Sequence, residues 1–144
     1  MLGLFFPIKG NSMKFSKWVQ SAVVCGALAV SAGAWADATS VDVKQGAAMQ
    51  SQGALVIDVR EPNEYAESHA PGTTLIPLGQ LESRLPELRA HQNQPVVLFC
   101  RSGKRSAQAQ EILAKAGFTK AVNMEGGLNA WTKAGLPVVT GDAK

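Results

Sequence analysis

Val96-Val97-Leu98-Phe99-Cys100-Arg101-Ser102-Gly103-Lys104-Arg105-Ser106 is the stretch that decides the fold. Four apolar residues run together behind Pro95 without polar alternation, the pattern of a strand buried on both faces. A helix follows from about Lys104 to Ala116. Ala109, Ile112, Leu113 and Ala116 fall at i, i+3, i+4 and i+7 and form one apolar face. Gly117 stands where a C-terminal cap belongs. A buried strand running through a short polar loop into an amphipathic helix is one half of a parallel strand–helix–strand unit.

The same alternation extends outward in both directions. Upstream, Leu55 to Val59 predicts a buried strand that ends in a charged cluster. Pro62 to Glu67 predicts a short helix with proline in its first turn. Ala70-Pro71-Gly72 is a turn, and Thr74 to Ile76 a short strand. Leu78 to Leu88 carries Leu78, Leu81, Leu85 and Leu88 at helical spacing, with Pro86 expected to break it in two. Farther upstream, Ser40 to Val43 predicts a first strand and Gln45 to Gln52 a weak helix. Downstream, Ala121 to Met124 predicts a strand, and Gly126-Gly127 opens a helix through Leu128 and Trp131 that ends near Gly135. Strands separated by helices predict an α/β domain with a mainly parallel sheet and helices on both faces. Ligands of such sheets bind beyond the carboxyl ends of the strands. That rule puts Asp58-Val59-Arg60 and Cys100 to Ser106 on one rim.

Composition bounds the rest. A chain of 144 residues with 46% hydrophobic residues, 14 Gly, 7 Pro and 2 Cys is one globular domain. It is not a disordered tail, a collagen-like repeat or a disulfide framework. Lys9, Lys14 and Lys17 are three of the 14 cations and precede every acid, so from Asp37 onward the cations balance the 11 acids. The net charge of +3 therefore gives no basic footprint for nucleic acid. The first 36 residues are expected to form a signal peptide. Lys14 and Lys17 make its positive region, an apolar run extends from about Val19 to Ala32, and Ala34-Trp35-Ala36 places small residues where a signal peptidase reads. Met13 begins a more typical leader than Met1. The run is shorter than the roughly 20 residues a permanent span needs, and Val24 before Cys25 argues against a lipid-bearing cysteine. Cleavage after Ala36 would leave residues 37–144 as the mature domain, exported to a bacterial periplasm.

Export would leave Cys100 as the lone thiol, and its surroundings assign it chemistry. A cysteine between a strand and a helix N-terminus faces unsatisfied backbone N–H groups and the positive end of the helix dipole. Arg101, Lys104 and Arg105 add positive potential, and no acid intervenes before Glu111. Gly103 permits a backbone that turns successive N–H groups toward one point. All of these favour thiolate over thiol and suit an anionic co-substrate. Arg60 has two readings: it reaches the active-site rim, or it pairs with an acid such as Glu64 and holds the loop. Asp58 is expected to be a structural hydrogen-bond acceptor, His69 to stabilise its Pro–Gly turn, His91 to be exposed, and Trp131 to pack the last helix. Two histidines far apart do not suggest a metal site.

Cys100 to Ser106 resembles the active-site loop of rhodanese-type sulfurtransferases. Asp58-Val59-Arg60 with Glu64-Tyr65, Ser68-His69-Ala70-Pro71-Gly72, and Gly126-Gly127-Leu128-Asn129-Ala130-Trp131 with Ala134-Gly135-Leu136-Pro137-Val138 resemble three further signatures of that family, in order, over residues 52–139. A single such domain behind a signal peptide is most similar to the small periplasmic rhodaneses, the phage-shock type among them. Ser68 departs from the family's usual glycine, and Thr73-Thr74 from its small or apolar residue. The resemblance implies a five-stranded parallel sheet, and a Cys100 persulfide formed from thiosulfate or a related donor. It also implies transfer of that sulfur to a thiophilic acceptor such as cyanide or a thiol. Backbone N–H groups over Arg101, Ser102, Gly103, Lys104, Arg105 and Ser106 would hold the terminal sulfur, and Arg101, Lys104 and Arg105 the sulfonate end. It implies neither metal nor organic cofactor; an acceptor protein or thiol reductant would be its partner. Two other readings remain: a non-catalytic persulfide carrier or envelope binding module, and a phosphatase or arsenate reductase on the same fold. The latter needs Cys, five residues and then Arg, whereas here Arg105 is the fifth residue after Cys100 and Ser106 the sixth.

Overall fold

The computed structural model describes Gly3 and residues 39–142; the predicted signal peptide and its cleavage point lie outside the described residues. Five strands, β1 (Ser40–Val41), β2 (Leu55–Asp58), β3 (Thr74–Leu75), β4 (Val96–Phe99) and β5 (Ala121–Met124), form one sheet in the order β1-β5-β4-β2-β3. Every pairing is parallel, with Asp58 opposite Phe99 and Leu98 opposite Asn123. Among the described residues, six α-helices accompany them: α1 (Val43–Ser51), α2 (Pro62–Glu67), α3 (Leu78–Leu81), α4 (Leu85–Leu88), α5 (Lys104–Lys115) and, after the last strand, α6 (Gly127–Lys133).

Alternation along the strands divides the core in two. Val96, Leu98 and Cys100 point to one face and join Ile57, Leu81, Leu88, Leu113 and Phe118 beneath α3, α4 and α5. Val97 and Phe99 point to the other and join Val56, Met49, Met124, Leu128 and Trp131 beneath α1 and α6. Burial on both faces explains why β4 lacks polar residues. Trp131 packs edge-on against Phe99, ring centres 5.8 Å apart, and its indole N–H donates to the Pro137 carbonyl. No helix among the described residues is long and apolar enough to cross a membrane.

The structure shifts several expected boundaries. β1 ends at Val41 because Asp42 caps α1: its carboxylate accepts the Gln45 N–H at 2.7 Å while the Gln45 side chain accepts the Asp42 N–H. The helix predicted from Gln45 therefore starts at Val43. The break between α3 and α4 falls at residues 82–84, ahead of Pro86, which sits in the first turn of α4 where its missing N–H costs nothing. His91 is half-buried rather than exposed, its Nδ1 within 3.2 Å of the Gln94 side chain.

Candidate active site

β4 delivers Cys100 to the carboxyl rim of the sheet, and Gly103 turns the chain into α5. Gly103 has φ +97, a left-handed conformation that glycine tolerates without strain. In that conformation its N–H donates to the Cys100 sulfur at 3.0 Å. Ser106, in the first turn of α5 and fully buried, lies with its hydroxyl 3.3 Å from the same sulfur. Cys100 is itself fully buried. Its Cβ side belongs to the aliphatic cluster, and its sulfur faces the loop's donors. Burial is the largest influence on the thiol and pushes its pKa up; hydrogen bonds from the Ser106 hydroxyl and from the Ser106, Gly103 and Ser102 amides outweigh it, so the net shift is downward.

The loop is pinned from the far side by α6. The Leu128 and Asn129 N–H groups donate to the carbonyls of Cys100 and Arg101 at 2.8 and 3.0 Å. Gly127, φ +51, lets the backbones meet; a side chain there would overlap the Cys100 carbonyl. The Gly126-Gly127 pair is thus part of the site, a role that its reading as a helix start does not contain.

Two sequence expectations about charge need correction. Arg60 does not pair with the Glu64 carboxylate. It is fully buried, and its guanidinium grips Asp58 at 2.8 to 3.0 Å and donates to the Ser68 carbonyl at 2.9 Å. The strand end brings Asp58 to it directly, and its guanidinium is held by that carboxylate and by the Glu64 and Ser68 backbone carbonyls. The loop cations, in turn, do not stand free of acid. Glu64, carried across from α2, accepts two hydrogen bonds from Arg105 at 2.7 and 2.9 Å and lies 3.4 Å from the Arg101 Nε. The Arg105 contact is the main reason the Glu64 carboxyl is lowered to about 2, and it raises Arg105 in return. Arg101 remains half-exposed and Arg105 one-third exposed, so both guanidinium groups border solvent. Lys104 is exposed, beginning α5.

Asn123 on β5 is a site residue that sequence reading missed. The Ser106 hydroxyl donates to its side-chain carbonyl oxygen. The signal was an asparagine inside an otherwise apolar strand, a residue type depleted in sheets. His69 is set apart from this network: it stacks on Tyr65 at 3.7 Å and its Nδ1 meets the Tyr65 carbonyl at 2.8 Å, which braces the turn. Among the described residues no cluster of His, Cys, Asp and Glu could hold a metal ion.

A thiol with a lowered pKa, ringed by amides and bordered by guanidinium groups, is suited to nucleophilic attack on an anionic sulfur compound. The Rhodanese-like domain family matches residues 42–134. "Putative sulfur carrier protein YrkF" of Bacillus subtilis is 42% identical over 77 residues, covering 54% of this chain and 40% of that protein. The chain therefore spans less than half of that curated relative. "Thiosulfate sulfurtransferase PspE" of Escherichia coli is 37% identical over 70 residues, covering 49% of this chain and 67% of that protein. The solved structure of the human single-domain sulfurtransferase TSTD1 superposes with a TM-score of 0.61 at 29% identity, over 67% of this chain and 96% of its own.

Proposed function

Because the chain belongs to the rhodanese-like domain family, we propose that it moves sulfane sulfur from thiosulfate or a related donor to a thiophilic acceptor through a Cys100 persulfide. The Cys100 thiolate attacks the outer sulfur of thiosulfate. A new S–S bond forms to Cys100, the old S–S bond breaks, and its electron pair leaves with sulfite. Cyanide or a thiolate then attacks the terminal sulfur and regenerates the Cys100 thiolate, leaving thiocyanate or a new persulfide. The thiolate must form before the first step, and the terminal sulfur is anionic between the steps. Donors fixed in place for the anion assist both stages without reorganising.

The observation that carries this reading is the 3.0 Å hydrogen bond from the Gly103 N–H to the Cys100 sulfur. Ser102 and Ser106 present further amides to it, and Arg101, Lys104 and Arg105 supply the charge that would bind the sulfonate. A second reading is supported by the sulfur's complete burial and by the name of the Bacillus relative: a carrier that holds a persulfide for a partner protein. Export of residues 37–144 to the periplasm, after cleavage at Ala36, belongs to the same proposal. Intact mass of the protein isolated from its native compartment checks both the cleavage point and one added sulfur atom.

Turnover separates enzyme from carrier. The protein with thiosulfate and cyanide should release thiocyanate with ping-pong kinetics, and Cys100→Ser should abolish release. No release from the wild type, with Cys100 still carrying sulfur by mass, would leave the carrier; equal release by Cys100→Ser would sink both.

A further inference from the structure

Ser106 has one hydroxyl proton and two neighbours that can take it. Its oxygen lies between the side-chain amide of Asn123 and the sulfur of Cys100, and it is fully buried. A hydroxyl donates once and accepts through two lone pairs. If the Asn123 carbonyl oxygen faces it, the proton goes to the amide and the sulfur meets a lone pair. If the Asn123 NH₂ faces it, the amide donates to the lone pair and the proton is free to point at the sulfur. The two orientations differ by a rotation about one terminal bond, and their heavy atoms occupy the same places.

We propose that Asn123 is a positioning residue whose amide turns Ser106 into a hydrogen-bond donor to Cys100 whenever that sulfur is an anion. The claim rests on the reading that Cys100 works as an anion. With a neutral thiol the chain of hydrogen bonds runs outward, S–H to the Ser106 oxygen and O–H to the Asn123 carbonyl. That order is unfavourable once the thiol proton has left to water, because the buried anion would then face a lone pair. Rotation of the amide reverses the chain: N–H to oxygen, O–H to sulfur. A persulfide, also anionic, calls for the same inward order. Gly103 offers a backbone donor that cannot reverse, so the Asn123–Ser106 pair is the part of the ring that follows the state of the sulfur. The backbone of Asn123 is committed to the sheet, with its N–H on the Thr39 carbonyl at 2.8 Å, so the side chain alone turns.

The charged groups on the elements around the sulfur are Arg101, Lys104, Arg105, Glu111 and Lys115 on the loop and α5, Asp58 at the end of β2 with Arg60 after it, Glu64 and Glu67 on α2, and Glu125 after β5. None of them touches Ser106, and the test leaves all of them in place. Rates of Cys100 alkylation by iodoacetamide are measured against pH in the full chain, for wild type, Asn123→Asp, Ser106→Ala and the double variant. Aspartate can only accept, so Asn123→Asp should raise the midpoint by about one pH unit. In the Ser106→Ala background the same change should move it by less than half as much, since only the repulsion of the new carboxylate remains and the route through the hydroxyl is gone. An unchanged midpoint, or an equal rise in both backgrounds, overturns the proposal while leaving the catalytic thiolate intact. A wild-type midpoint at about 8.5, the value of a free thiol, overturns both. If Asn123→Asp does not fold, the wild-type protein decides by NMR. The Asn123 side-chain N–H resonances should shift with the Cys100 midpoint and hold still in Cys100→Ser, and resonances that ignore the titration sink the idea.

Discussion

The ends of β2 and β4 lie side by side on the same rim, and each buries an ionisable side chain completely, Asp58 on one and Cys100 on the other. The two sites treat that burial in opposite ways. Asp58 faces a guanidinium at 2.8 Å, and the Arg60 donors that remain reach backbone carbonyls. Cys100 faces amides and a hydroxyl, while the nearby cations Arg101 and Arg105 are drawn aside by Glu64. An opposite charge cancels a carboxylate and locks it in place. Neutral dipoles stabilise an anion and leave its electron pair available. Burial alone therefore does not distinguish a strut from a nucleophile; the nature of the partner does.

The comparison breaks first at Arg60. Arg60→Met leaves the Asp58 carboxylate buried without its cation, which should cost about 3–5 kcal/mol. Urea unfolding at neutral pH would measure it. Asp58→Leu together with Arg60→Met should cost less than Arg60→Met alone, because no unpaired charge remains. Cys100→Ser should stay within about 1 kcal/mol of wild type, as a near-isosteric change. A loss below about 1 kcal/mol in Arg60→Met would mean that the pair is no lock.

A smaller effect should appear where α6 meets the cysteine loop. Gly127→Ala combines a positive φ with overlap on the Cys100 carbonyl, whereas Gly135→Ala has a positive φ and open space around it. The second should cost about 1 kcal/mol, the conformational penalty alone. The first should cost about 2–3 kcal/mol and raise the alkylation midpoint of Cys100, since displacing the loop lengthens the Gly103 hydrogen bond. Equal stability of the two variants would show that α6 does not hold the loop.

What could be read from the sequence follows from how local each signal is. β4 and α5 carry their own periodicity, and the turn at Gly103 follows directly from the strand–helix junction, so the place of Cys100 was legible. β1 was legible in its place but not in its length: the strand expected over Ser40 to Val43 pairs only at Ser40 and Val41, because residues at a sheet edge acquire their conformation from pairing with β5, more than 80 positions away in the chain. One of the two readings of Arg60 pairs it with the wrong acid for a related reason. Its neighbour Glu64 suits it on a helix, but the end of β2 bends the backbone so that the Arg60 N–H and side chain both return to Asp58, two residues back. The true partners of Glu64 arrive from a loop about 40 residues later. Asn123 left only its unsuitability for a strand as a clue, and no local rule names the hydroxyl it would meet.

Glu64 offers the finest test of the contrast between the two sites, because it decides how much positive charge the sulfur feels. Its folded pKa is lowered, from 4.5 to about 2, chiefly by Arg105. The stability it contributes is therefore complete above about 4.3, the pKa it has when unfolded, and is lost as pH falls toward 2. Urea midpoints of wild type and Glu64→Gln should differ at pH 6 and converge near pH 2. Solvent around the half-exposed Arg101 should hold the difference below about 1 kcal/mol. The same variant releases two guanidinium groups beside Cys100. If the carboxylate chiefly neutralises them, Glu64→Gln should lower KM for thiosulfate and move the alkylation midpoint of Cys100 down. A rise in KM would instead show that Glu64 holds Arg101 and Arg105 in the posture that receives the sulfonate. Its role would then resemble that of Asp58 toward Arg60: a carboxylate that fixes a guanidinium, here at the edge of solvent.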